Sequence, residues 1–339
     1  MSDQGGPVVV LAGGTGGAKL ARGMLDVVGA ERLVVIANTG DDIDIYGAHV
    51  SPDPDLVSFW LADLIDERGW GLREDTFAVM DGLRALGREV WFNLGDRDLA
   101  WCLERRRMED EGLRHTEALA RLNEAIGVRA RVLPACDEPL RTWVRTDDGW
   151  RDFQRFMIAE HAESAVREVE FRGDDGARPT PVEAAPERAP ASHPASLAHQ
   201  PTHPAPRRPT PEVLAALADA RAVIVGPSNP VISVWPILHV LREALAAAAA
   251  PVVCVSPVVG GEIVKGPTEA FLAAYEQPVS AAGVAAFYET VCPGLLSGIV
   301  ADEPLADLPT LQLDTLMSDA ESRARVAART LEFAQALAH

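Results

Sequence analysis

The chain has 339 residues, enough for one large α/β domain with a substantial buried core, and its 47% hydrophobic and 24% charged content is that of a globular protein. A net charge of −19 repels nucleic acid and anionic membrane, so an anionic ligand must be met by local cations, a metal ion or aligned backbone N–H groups. The four cysteines, Cys102, Cys136, Cys254 and Cys292, form no CxxC pair and argue against a disulfide framework or a cysteine-rich zinc site. The first residues lack the basic region of a signal peptide, and the apolar stretch Ala244 to Val259 is broken by Pro251 and Pro257. The chain therefore reads as soluble and cytoplasmic.

Val8 to Ala12 is a short, continuous apolar run, as a buried parallel strand requires. The glycine-rich segment Gly13-Gly14-Thr15-Gly16-Gly17 follows, and a helical pattern runs from about Ala18 to Val28. Leu33 to Ala37 is the next strand and ends in Asn38-Thr39-Gly40-Asp41-Asp42, completing a βαβ unit. Leu56 to Asp66 and Thr76 to Leu86 have helical periodicity, and Glu89 to Phe92 reads as a third strand before Asn93-Leu94-Gly95-Asp96-Arg97-Asp98. From Arg141 to Phe156 the period moves toward two, with Asp147-Asp148-Gly149 as a hairpin turn, and Val166 to Phe171 is a further strand.

Between Gly173 and Pro211 there are ten prolines and few large apolar residues, so this stretch cannot bury enough surface to offset its ordering entropy. It reads as a disordered insertion, and its histidines His193, His199 and His203 lack an ordered frame for a metal. A helix from Pro211, strands at Ala222 to Val225 and Pro251 to Val255, a helix between them from about Trp235 to Ala249 and a final helix within 312–339 restore the βα pattern. The expectation is an α/β, doubly wound, Rossmann-like parallel sheet with a small inserted subdomain. Residues 1–140 and 210–339 form the core, 141–173 the β-containing subdomain and 174–209 the insertion.

The chemistry sits in loops that follow strands, the edge where open parallel sheets bind ligands. Gly13, Gly14, Thr15, Gly16 and Gly17 let backbone N–H groups approach a phosphate at a helix N-terminus, although a Walker A ending and a strict GxGxxG are absent. Only two of the 31 basic residues are lysines, Lys19 and Lys265, and both adjoin glycine-rich loops, where a compact ammonium serves phosphate better than a broad guanidinium. Asp41, Asp42 and Asp55 are candidate Mg²⁺ ligands, because adjacent carboxylates repel unless a cation compensates them. Capping of the following helix is the plain alternative for Asp53 and Asp55, and loop bracing for the Arg97–Asp98 turn. No HExxH and no Cys–His pair is visible, and phosphoryl transfer by positioning and electrostatics needs neither.

Taken in order, these loops resemble those of the 2-phospho-L-lactate transferases (CofD/FbiA). The resemblance is carried by Gly13 to Leu20, Asn38 to Asp42, Ser51-Pro52-Asp53-Pro54-Asp55, Trp70-Gly71, Asp75-Thr76-Phe77, Leu94 to Asp98, Gly226-Pro227-Ser228-Asn229-Pro230 and Ser256 to Gly261. The insertion departs from the family pattern. The resemblance implies a Mg²⁺-assisted enzyme of coenzyme F-420 biosynthesis that acts on small molecules as a homodimer. In such an enzyme the ribityl hydroxyl of the deazaflavin Fo attacks a lactyl or enolpyruvyl guanosine diphosphate, and GMP leaves. It implies catalytic or metal roles for Asp41, Asp42 and Asp55, and Fo contacts by Asp55, Asn93, Asp96 and Arg97. The guanosine diphosphate would be held by Gly13 to Gly17, Lys19, Ser228, Asn229, Ser256, Gly260, Gly261 and Lys265. A nucleotide-sugar-binding regulatory branch that shares the GGTG opening is the alternative; it lacks the loops at Ser51 and Leu94.

Overall fold

The structure is a computed structural model that describes residues 5–173, 207–263 and 266–338. In chain order the strands are β1 (Val8–Ala12), β2 (Leu33–Ala37), β3 (Ile43–Ile45), β4 (Ala48–Val50), β5 (Arg131–Pro134), β6 (Arg141–Thr146), β7 (Gly149–Asp152), β8 (Glu168–Arg172), β9 (Ala222–Val225), β10 (Val252–Val255), β11 (Val258–Val259), β12 (Glu262–Ile263), β13 (Gly298–Ala301) and β14 (Thr310–Gln312). The helices that matter for the site are α1 (Gly14–Val28), α2 (Pro52–Leu61), α3 (Ala78–Ala85), α4 (Asp96–Asp110) and α5 (His115–Ala125).

Seven parallel strands form the central sheet in the order β14-β13-β10-β9-β1-β2-β5. Every residue of β1, β2, β9, β10 and β13 is buried, because helices cover both faces. The period-two pleat divides β1 between two cores: Val8, Val10 and Ala12 pack with α1 and α2, and Val9 and Leu11 pack with the opposite layer. The chain order reverses between β1 and β9, which makes the crevice beyond their carboxyl ends the topological switch point. Parallel pairing places the loops at Gly13, Asn38, Gly226 and Ser256 on one edge, as the doubly wound reading requires.

Three elements differ from the sequence reading. Helix α1 begins at Gly14, so Gly14 to Gly17 form its first turn instead of a loop before it. Residues 89–92 make no strand; Trp91 and Phe92 pack edge to face with ring centroids 5.6 Å apart, and β5 takes the place beside β2. Strands β13 and β14, not expected from the sequence pattern, extend the far side of the sheet. Outside the central sheet, β7-β6-β8 is a three-stranded antiparallel sheet. The helical stretch Pro230–Ala247 is long and apolar enough to cross a bilayer, but 61% of it is buried inside the fold. The Pro-rich insertion at 174–206 lies outside the described residues.

Candidate active site

A hairpin turns the chain back onto the sheet edge. β3 and β4 pair antiparallel across Tyr46 and Gly47, both at positive φ (55° and 80°), the geometry of a tight hairpin. This reversal delivers the start of α2 to the start of α1. Asp53 accepts the Gly14 N–H at 2.6 Å and the Asn38 side-chain amide at 2.9 Å. Asp53 therefore occupies the first N–H of the glycine-rich turn, where a carboxylate is stabilised by the helix dipole. The Gly17 N–H goes to the Ser228 hydroxyl at 2.8 Å, which ties the two loops across the switch point. A Cβ on Gly16 would run into the Pro227 carbonyl, and one on Gly17 would lie 2.8 Å from the Ala12 Cα. The glycines are thus required for close approach between loops; Thr15 and Gly16 supply the remaining first-turn N–H groups.

The carboxylates expected to act together fall into different surroundings. Asp41 is buried beside Asp53, and its Oδ1 lacks a hydrogen-bond partner among the described residues. Burial, and then the charge of Asp53, hold its carboxyl well above the usual range. Burial also raises Asp53, to about 6, against the lowering effect of the bonds from Asn38 and Gly14. Asp42 accepts the Ser51 hydroxyl at 2.7 Å and contacts His49 at 3.2 Å. His49 and His115 flank Glu109 at 2.7 and 2.9 Å, and this network braces the Asp41–Asp42 turn against α4 and α5. Asp55 is clamped by the fully buried Arg105 through both guanidinium nitrogens and by the Trp101 indole N–H at 2.7 Å. Both Asp55 oxygens accept from Arg105, and one also from the Trp101 indole, so among the expected metal ligands Asp41 is the least engaged.

Asp55 and Asp53 line a pocket of about 440 Å³ together with Asn93, Asp98 and the aromatic residues Phe59, Trp70, Phe77 and Trp91. The loops on its far side are fixed by exchanged caps. Asp75 accepts the N–H groups of Arg97 and Asp98 at the start of α4, at 2.9 and 3.1 Å. Asp96 in return accepts the N–H groups of Ala78 and Val79 at the start of α3, at 3.0 and 2.9 Å. Asp96 thus caps a helix, and Arg97 donates to the Arg73 carbonyl at 3.0 Å; neither is among the residues lining the pocket. Asn93 does line it, with its amide oxygen held by Arg84 at 2.8 Å, which leaves the NH₂ to donate to a ligand.

Across the switch point, Asn229 caps the turn after β9 through Val231 and Ile232, and its Nδ2 is buried without a partner among the described residues. The Ser256 hydroxyl serves its own turn, accepting from the Val258 N–H at 3.1 Å. Gly260 and Gly261, at φ 62° and 77°, form the two-residue link between β11 and β12. Lys19 lies within α1 with its ammonium 6.0 Å from the Trp60 ring centre, and Lys265 lies outside the described residues.

Residues 8–307 match the family model for 2-phospho-L-lactate transferase CofD. The chain belongs to that family. It is 35% identical to a phosphoenolpyruvate transferase of Kitasatospora aureofaciens, over 98% of this chain and 99% of the relative. It is 32% identical to a 2-phospho-L-lactate transferase of Methanosarcina mazei, over 83% of this chain and 84% of the relative. A solved structure of a UPF0052 family member from Bacillus halodurans shares the fold, with a TM-score of 0.61 at 16% identity, covering 97% of this chain and 100% of that one.

In this CofD-family enzyme the side chains that the sequence did not place in the site lie mostly on α4. Asp98, Cys102, Arg105 and Glu109 recur at helical spacing and point one polar face of α4 at the pocket and the histidine network. The run Arg105-Arg106-Arg107 hides this signal, since only Arg105 is buried.

Proposed function

We propose that this CofD-family transferase moves a phospho-lactyl or phospho-enolpyruvyl group from a guanosine diphosphate conjugate to the ribityl hydroxyl of Fo, releasing GMP. The observation that carries this reading is the aromatic pocket, which adjoins the switch-point crevice through Asp53. Its volume suits a planar tricyclic ring system, and its polar groups are gathered at the Asp53–Asp55–Asn93 wall. The reacting hydroxyl would then meet the diphosphate held over the Gly13 and Ser228 loops.

Mg²⁺ fits best at Asp41 and Asp53, two buried carboxylates, one with an orphaned oxygen. When bound there it would neutralise charge on the diphosphate and on the departing GMP. The protein's own part is positional. Asn38 and the Gly14 N–H orient Asp53, the His49–Glu109–His115 network holds the Asp41–Asp42 turn, and Arg105 fixes Asp55 at the pocket wall.

The test is mass spectrometry of products formed from Fo with the lactyl, enolpyruvyl and glyceryl donors in turn, with Mg²⁺ present and absent. A phosphodiester-linked Fo product together with GMP supports the reading. Uptake of UDP-N-acetylglucosamine with no product from any donor would overturn it.

A further inference from the structure

Four carboxylates line the pocket, and two of them, Asp55 and Asp98, have opposite surroundings. Asp55 is clamped by Arg105 and Trp101. Asp98, in the first turn of α4, lines the same pocket, but among the described residues no cation binds its side chain. Its hydrogen-bond contact there is the thiol of Cys102, at 3.9 Å, a weak donor. Its backbone N–H is fixed by Asp75 at 3.1 Å, so its place is set while its carboxylate stays available. The groups that face it are Asp55 from α2, Asp75 from the loop before α3, and Arg105 and Cys102 from α4 itself. Burial first, and then the charges of Asp55 and Asp75, push its pKa up to about 7 against the opposing effects of Arg105 and Cys102. A raised carboxyl beside a second carboxylate held by a guanidinium is an arrangement in which the two commonly divide proton-transfer and electrostatic roles.

We propose that Asp98 is the general base of the transfer, taking the proton of the acceptor hydroxyl as its oxygen attacks phosphorus. This rests on the reading of the reaction given above. The hydroxyl O–H bond breaks and its proton passes to an Asp98 oxygen. The freed lone pair forms the new O–P bond. The bond from that phosphorus to the bridging oxygen breaks, and its electron pair leaves with GMP. Asp98 then returns the proton to solvent. An aspartate that accepts a substrate hydroxyl proton is the arrangement that phosphoryl transfer to alcohols uses elsewhere.

The experiment is single-turnover product formation by the full-length enzyme with Mg²⁺, Fo and donor from about pH 5.5 to 8.5, a range that brackets the raised carboxyl, for wild type, Asp98→Asn and Asp98→Gly, with Fo binding followed by its fluorescence. The wild-type rate is expected to fall as pH drops below about 7. Asp98→Asn should lose about a hundredfold or more, the range of general-base catalysis, and should lack that limb, with Fo affinity held within about threefold. Added formate should restore part of the Asp98→Gly rate. An Asp98→Asn variant with the wild-type limb, or a loss matched by weakened Fo binding with no formate rescue, would overturn the proposal. Should both variants fail to fold, Asp98→Glu must move the limb, and an unmoved limb counts against the base role. A wild type that forms no product defeats the reaction itself, whereas an active wild type with an indifferent Asp98 defeats only this inference.

Discussion

Replacing Arg105 by Met tests the electrostatic core of the site. The guanidinium side chain is fully buried and Asp55 is only 5% exposed, so neither charge has water to fall back on. Removing Arg105 strands a carboxylate beside Asp98 and frees the His49 carbonyl, which accepts from Arg105 at 3.0 Å. Breaking a buried pair from one side costs about 3–5 kcal/mol, because the remaining charge keeps its desolvation penalty. In the double variant Arg105→Met/Asp55→Asn the stranded charge is gone and the new amide oxygen can still accept from Trp101, so stability should largely return, with a coupling of about 2 kcal/mol or more. Urea unfolding followed by tryptophan fluorescence measures this. A single variant within about 1 kcal/mol of wild type, or additive losses in the double variant, would refute a charge pair buried as described.

Three further outcomes are expected. Gly16→Ala should lower thermal stability by about 1–3 kcal/mol and weaken GDP binding, because the new methyl meets the Pro227 carbonyl and parts the two loops; an unchanged melting curve would contradict this. Burial opposes protonation of His49, but the bonds to Asp42 and Glu109 outweigh it and push its pKa up to about 9. Its contribution to stability should be fully present below its ordinary value of about 6.5 and should fade as pH rises through about 9. A His49→Asn variant should lose this alkaline decline in melting temperature, and an identical decline in both proteins would assign it elsewhere. Lys265→Ala should weaken GDP binding in calorimetric titration while Fo binding stays near normal, with arginine rescuing only partly; equal GDP affinity would make the scarcity of lysine a coincidence.

The apolar runs at Val8 to Ala12 and Leu33 to Ala37 announce buried parallel strands because a strand covered on both faces cannot alternate. Their order with intervening helices dictates the doubly wound sheet, and so the edge on which the glycine-rich and Asn38 loops meet. The ordered loop motifs likewise fix the family. Tertiary structure alone decided how the carboxylates divide. Asp53 and Asp55 are two residues apart on α2, yet Asp53 reaches back to Gly14 and Asn38 while Asp55 meets Arg105, 50 residues later in the chain. The LGDRD segment reads as a ligand loop, but Asp96 caps α3 and Asp98 faces the pocket, because exchanged caps with Asp75 set the phase of α4. Sequence spacing states which residues share a helix face. Which face meets which pocket depends on contacts between distant segments, and those arise only when the sheet, the β3–β4 hairpin and α4 are packed together.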